Sequence, residues 1–441
     1  MTDTVESTPG DWQLPIIKDT PEGADLWERV PYDPDDYGPV SDWASDFDHA
    51  SPAYNAHAPE IWKQLREGGC PVAHSDRYGG MWIPLTHDTV EEIAYDTEHF
   101  TSRSVVVSHL RPGDLQLPAP IGGAPPITSD PPFHNQARRL LLPPFAPKKI
   151  EAWEPDIRTL CRQLLDDLGE IAPGESVIDA AVDYAQHIPV SVIRQMLGFP
   201  KEDEELFRTF AHNVLERVNE DPRERAAADQ ERLDLYIDEQ IQDHIDNPRD
   251  DLTSFLLDAE LDGNKLHPDH VRGTIILLLI AGFDTTWSAI GSSLWHLAQR
   301  PEDRQRLTDD PEVMTFALEE FLRAYAPVTM SRLVAKDHDF HGCPMKQDDW
   351  VLLPFPAANR DPKMFEDADE FVIDREVNRH AAFGLGIHRC LGSNLARLEL
   401  KVAIEEFLAR FPQFELAGDT RWSVGMIRGP RQLPVRILET A

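Results

Sequence analysis

Phe383-Gly384-Leu385-Gly386-Ile387-His388-Arg389-Cys390-Leu391-Gly392 is the stretch from which the fold is read. A single cysteine stands between glycines, which let the backbone turn tightly and approach a flat ligand closely. Directly after it, Ser393 to Arg410 carries Leu395, Ala396, Leu398, Leu400, Val402 and Ala403 in an amphipathic run that reads as a helix. The Cys390 sulfur is therefore predicted at a helix N-terminus. There the backbone N–H groups and the positive end of the dipole favour a thiolate, the form that binds metal. A lone cysteine is ordinarily a small buried hydrophobe. The glycines around this one, and a phenylalanine able to pack on a planar group, point to a ligand instead.

Upstream, Pro268 to Arg300 holds its apolar helical period until Pro301 ends it. At 1.5 Å per residue this helix is about 50 Å long and must cross the core. In its middle, Ala281-Gly282-Phe283-Asp284-Thr285-Thr286 sets a glycine, an acid and two hydroxyls in an apolar element. Glycine costs up to about 1 kcal/mol in a helix and a buried carboxylate costs more, and such breaches of local rules gather at functional sites. A threonine there can bond back to a carbonyl one turn earlier and open the helix locally.

Shorter signals fill the remainder. Helices are predicted over Pro59–Glu67, Asp88–Tyr95, Glu154–Gly169, Val177–Leu197 and Glu202–Ile245, with a break at Asp221-Pro222, and strands over Gly79–Leu85 and Val328–Val334. Asp130-Pro131-Pro132-Phe133-His134 opens another helix, which places His134 and Arg138 on one face, and Phe145-Ala146-Pro147 closes it. The helix opened by Asp310-Pro311 puts Glu320 and Arg323 on one face. Ser104 to Pro126 is a long loop with apolar clusters, the kind that is functional when ordered. The expected fold is mainly α with a smaller β-rich region.

The 441 residues contain no linker rich in Gly, Ser or Pro, so one large domain is expected over residues 51–441, behind an extended arm over 1–50 that lies on the surface. Cys70, Cys161, Cys343 and Cys390 lie far apart with no Cys-x-x-Cys pair, which argues against zinc, iron–sulfur clusters and disulfides and suits a reducing cytoplasm. The start of the chain is acidic and lacks a cationic, then apolar, leader, and the longest apolar run, Ile275 to Ala281, is too short for a bilayer. Neither a signal peptide nor a membrane anchor is expected. A formal charge of −36 disfavours nucleic acid and anionic membranes as partners.

The pattern Phe-Gly-x-Gly-x-His-x-Cys-x-Gly at 383–392 resembles the haem-binding loop of the cytochromes P-450, and Ala281 to Thr285 resembles that family's acid–alcohol pair. With Glu-x-x-Arg at Glu320 and Arg323, three motifs in family order extend the resemblance from about Pro59 to Leu438. The resemblance implies that Cys390 is the proximal ligand of the iron of haem b. Phe383 and Gly392 would pack against the haem, and His134, Arg138, Arg332 and His388 would bind its propionates. Thr285 would hold dioxygen and a water while Asp284 relays protons, as general acid catalysis requires. Glu320, Arg323 and Arg375 would form a buried structural lock. By position in the family, Val106, Leu117, Leu278, Ala281, Val328, Met330, Met426 and Ile427 would line the substrate pocket, whose apolar content implies an apolar organic substrate.

The implied activity is that of a soluble bacterial-type haem-thiolate monooxygenase. No dinucleotide fingerprint or iron–sulfur cysteine run is present, so electrons must come from another protein, a ferredoxin served by its reductase. Arg138, Arg139, Lys148, Lys149, Arg379 and Arg389 gather cations on the implied proximal side and suit an acidic donor of that kind. A haem-thiolate peroxygenase or isomerase would not need Asp284 and Thr285 for proton delivery, and a non-enzymatic haem sensor or carrier would consume no NAD(P)H with any ferredoxin pair.

Overall fold

The computed structural model describes residues 39–107, 123–207, 223–261, 263–423 and 425–441. Its axis is the helix Pro268–Gln299, capped by the His267 side chain and carrying proline in its first turn. Ile275, Ile290, Leu294 and Leu297 are fully buried along it. Its most apolar window has a mean hydropathy of 1.5 and is 67% buried inside the protein, so the length that would span a bilayer serves the core instead. The helices His187–Leu197 and Ser393–Arg410 pack against it from different elements of the chain, and Glu154–Asp167 packs against the latter. Together they enclose the largest apolar cluster.

Beside this helical body lies a five-stranded sheet in the order Val72–Ser75, Met81–Pro84, Trp350–Pro354, Thr329–Val334, Phe100–Thr101. All its pairs are antiparallel except that of Met81–Pro84 with Trp350–Pro354. A three-stranded sheet sets Pro434–Glu439 between Gln413–Leu416 and Val177–Asp179. The mainly α fold with a smaller β-rich region is thus the observed one.

Several local expectations are corrected. Residues 1–38 of the predicted arm lie outside the described residues, but residues 39–50 do not lie loose on the surface. Phe47 is fully buried against Tyr54 and Trp62, and Asp46 and Asp48 pair with Arg77. The first helix runs from Pro52 to Glu67 and bends at His57, so Pro59 opens its second part instead of the whole helix. Val177–Asp179 is a strand, because Ile178 finds Val435 across the sheet, and only after the Asp179 side chain caps Ala181 and Val182 does a π-helix lead into His187–Leu197. Phe145-Ala146-Pro147 does not close the helix Phe133–Leu141; Pro147 is the first residue of the next helix, Pro147–Glu151, where its missing N–H is no loss. The predicted break at Asp221-Pro222 lies outside the described residues, between the turn at Lys201–Asp203 and the helix Arg223–Asp246.

Glu320 and Arg323 sit near the end of the helix Met314–Ala324 and are both fully buried. Arg323 grips the Glu320 carboxylate with two N–H groups at 2.7 and 2.8 Å and donates to the carbonyls of Asn359, Ala368 and Glu370. Arg375, Asn378 and the Val372 N–H complete the carboxylate shell. A buried pair is tolerable only when its remaining lone pairs and protons are so satisfied. Glu319 faces elsewhere and binds Arg397 and His380, which ties the same helix to Ser393–Arg410.

Candidate active site

Gly384 and Gly386 both adopt φ of +69°, and a Cβ on Gly386 would lie 2.1 Å from the Ala94 carbonyl oxygen. These are left-handed turns that only glycine makes cheaply, here pressed against the helix His87–Tyr95. The Cys390 N–H donates to Phe383 O at 2.7 Å and closes the loop. The Gly392 N–H donates to the sulfur. Cys390 lines a cavity of about 1110 Å³ together with Phe383, Leu385, His388, Gly392 and Leu395. Arg397 stacks over the Phe383 ring at 4.4 Å and holds it in place.

Burial pushes the Cys390 thiol up, against the Gly392 N–H and the Arg138, Arg397 and Arg389 charges that pull it down. The Gly392 N–H and the three arginine charges favour the thiolate, as expected of this position, while desolvation opposes it. A coordinated metal cation deprotonates a thiol outright.

The basic residues singled out in the sequence come together on one wall. Arg138, Arg332 and His388 line the cavity, and His134 stands behind them with its ring 4.3 Å from that of His388. Burial holds the Arg332 guanidinium down at about 10. Burial, then Arg332, His134 and Arg138, holds His388 at about 2, so its ring is neutral. His388 Nε2 shares a 2.8 Å hydrogen bond with Ser102 Oγ, whereas His134 Nε2 is buried without a partner. Neither Arg138 nor Arg332 forms an ion pair with a carboxylate among the described residues. Crowded cations with an orphaned imidazole are a receptor for an anion, and guanidinium suits carboxylates.

Across the cavity, Thr285 donates to Ala281 O at 3.0 Å, the predicted back-bond, yet the helix stays continuous through Gln299. Gly282 is where Ile193 of the neighbouring helix approaches, 3.1 Å from a would-be Cβ. Asp284 does not line the cavity. It is buried and paired with Arg431 at 2.7 Å, whose guanidinium lies 4.2 Å over Trp287. Val106, Leu278, Ala281, Val328, Met330, Met426 and Ile427 all line the cavity, and Leu117 lies outside the described residues.

Sequence reasoning missed Glu399. It is 1% exposed, lines the cavity from the helix that follows Cys390, and has its carboxyl pushed by burial to about 8, with the Thr286 hydroxyl opposing. A glutamate among Leu398, Leu400 and Val402 reads as one polar face of an amphipathic helix, and only the central helix packed over it reveals otherwise. Ser102, the partner of His388, carried no sequence signal.

A mainly α body, a cysteine in a glycine loop and an apolar cavity walled by cations define a haem-thiolate protein. The Cytochrome P-450 family profile matches residues 190–423. The chain is 32% identical to the cytochrome P-450 CYP107DY1 of Priestia megaterium, over 88% of this chain and 98% of that protein. It is 35% identical to the polyketide biosynthesis cytochrome P-450 PksS of Bacillus subtilis, over 70% of this chain and 77% of that protein. Its structure superposes on that of CYP109E1 from Bacillus megaterium in complex with testosterone with a TM-score of 0.80 at 29% identity, covering 88% and 99% of the two chains. The chain belongs to the cytochrome P-450 family, in its bacterial branch. It is accordingly an oxidoreductase, a monooxygenase with haem b as cofactor.

The residues present fit that group. A thiol, two glycines and a phenylalanine offer a flat, close seat at one wall, and the unpaired basic groups offer partners for two carboxylates.

Proposed function

We propose that the protein inserts one oxygen atom of dioxygen into an apolar organic small molecule, taking its electrons from a ferredoxin and ferredoxin reductase in the cytoplasm. The observation that carries this reading is that Cys390 and Thr285 face one continuous cavity whose remaining wall is largely aliphatic. Haem, when bound, supplies the dioxygen chemistry, and a thiolate ligand favours O–O cleavage.

In this reading Cys390 ligates the iron, and Arg138, Arg332, His388 and His134 hold the propionates. Thr285 Oγ1 positions a water in the cavity. Asp284 moves protons to it by exchanging between Arg431 and the water route, and Glu399, held protonated, is a second donor through Thr286 Oγ1. The apolar lining excludes bulk water. The complex of a structural neighbour with testosterone and the polyketide pathway of a relative both accord with a large apolar substrate. Arg139, Lys148, Lys149, Arg379 and Arg389 are exposed and would receive an acidic donor protein, whereas Arg138 is turned into the cavity and takes no part.

The test is the ferrous carbonyl spectrum. The wild type is expected to show the red-shifted Soret band of sulfur ligation, and Cys390→Ser to lose it. With a ferredoxin and its reductase supplied, Thr285→Ala is expected to consume NAD(P)H with at least about tenfold less product per electron pair. Product formation that persists undiminished in Thr285→Ala removes the proton-handling role.

A further inference from the structure

The helix His87–Tyr95 ends at Asp96, where the chain turns toward the strand Phe100–Thr101. The Asp96 carboxylate organises that turn. Its Oδ1 accepts from the Glu98 and His99 N–H groups, each at 3.0 Å, which leaves Oδ2 facing the His99 ring, 2.7 Å from Nδ1. His338 opens the hairpin of His338–Phe340 and Cys343–Met345 and lays its ring on that of His99, with centroids 4.0 Å apart and planes 25° from parallel. The backbone fixes the two segments side by side, because the Ala335 N–H donates to His99 O at 2.7 Å and Phe100 pairs with Val334.

A carboxylate oxygen of Asp96 and one ring nitrogen from each histidine all lie within 4.8 Å of one another. Ligand atoms about 2.0–2.2 Å from a zinc ion stand ~3.4 Å apart around a tetrahedron, so closing this set on an ion asks for shifts of about 1 Å. The side chains have that room: His99 is 24% exposed, Asp96 28%, and His338 is half-buried. Among the described residues, none hydrogen-bonds a ring nitrogen of His338. Two imidazoles with one carboxylate form a donor set that suits zinc and its neighbours. It contains no cysteine, so the spacing of the four cysteines has no bearing on it. The pairs Glu98–Lys336 and Glu92–His341 join the same two segments.

We propose that Asp96, His99 and His338 bind a divalent transition-metal ion of the zinc type, which clips the hairpin to the end of the helix His87–Tyr95. Water completes the coordination. The ion replaces the proton shared by Asp96 and His99, which is released to solvent. The site is structural and takes no part in the haem chemistry, so it stands or falls apart from the reading of the cavity.

The experiment is calorimetric titration of the untagged, chelator-treated, haem-loaded protein with zinc, and separately with magnesium. Zinc is expected to bind with a stoichiometry of one per chain, and magnesium at least about tenfold more weakly, because imidazole nitrogen suits the former and oxygen donors the latter. His338→Phe keeps a ring on His99, and Asp96→Asn keeps an acceptor for the Glu98 and His99 N–H groups. Each is expected to weaken zinc binding at least about tenfold and to abolish the rise in thermal unfolding midpoint that zinc gives the wild type. Zinc held equally by the wild type and either variant belongs to other residues and overturns the proposal. Magnesium binding as tightly as zinc, or a wild type that takes up no zinc, overturns it too. Where one variant fails to fold, the other and the comparison of the two metals on the wild type decide.

Discussion

Glu399 keeps its proton to about pH 8 because burial excludes the charged form. The unfolded chain releases that proton near the ordinary glutamate value, 4.5. Between the two, folded protein binds one more proton than unfolded, so the contribution to stability falls as pH rises, by about 1.4 kcal/mol per unit. Glu399→Gln is expected to remove this slope. The stability difference between variant and wild type, from urea midpoints at pH 5 to 8, should grow in favour of the variant, and a flat difference refutes the buried acid. At Gly386 the demand is steric. Gly386→Ala forces both a left-handed alanine and the Ala94 oxygen aside, at a cost of at least about 2 kcal/mol, measurable as lost thermal stability and haem retention. Gly386 was legible in the sequence as part of a loop. Glu399 was not, since nothing in its own neighbourhood says what covers it, and the inward turn of Asp284 toward Arg431 depends on a residue far along the chain.

At the scale of elements, the long helix and the helix after Cys390 were readable to within a residue, because each carries its period and its stop. The strand Val177–Asp179 was not, because its pairing comes from the distant strand Pro434–Glu439 and overrides local propensity. The helix Met314–Ala324 yields two predictions. Arg323→Ala leaves the buried Glu320 carboxylate only Arg375, Asn378 and the Val372 N–H, strands the three carbonyls that Arg323 bonds, and is expected to cost about 3 kcal/mol, read by denaturant unfolding. Glu319 behaves oppositely to Glu399. Burial raises it, but Arg397 and His380 outweigh burial and hold it down at about 2. Its contribution is therefore full above the unfolded value and lost as pH falls toward 2. Arg397→Ala should destabilise the protein more at pH 6 than near pH 2, where only its contact with the Phe383 ring remains, and an effect of equal size at both pH values would rule the ion pair out.

For the molecule as a whole, Arg139, Lys148, Lys149, Arg379 and Arg389 are exposed cations on a chain of charge −36. On the reading proposed above, an acidic donor would be repelled by the acidic surface and steered toward these cations. Replacing Arg139 and Lys148 with glutamine is expected to slow the first electron transfer several-fold at low ionic strength and to flatten its dependence on salt. Unchanged stopped-flow reduction rates remove this docking face. In the sequence these cations are a list of residues, but only the fold shows that Arg138 is half-buried at the cavity wall.

The clasp around Arg323 also bears on how the polypeptide is born. Ribosomes deliver residues 314–324 before residues 359–378, so a nascent chain carries this guanidinium for a time without the carbonyls that it will grip. Docking that helix prematurely would strand a charge, which makes late closure the cheaper order of events. The clasp should therefore close only after residues 359–370 have followed that helix out of the ribosome.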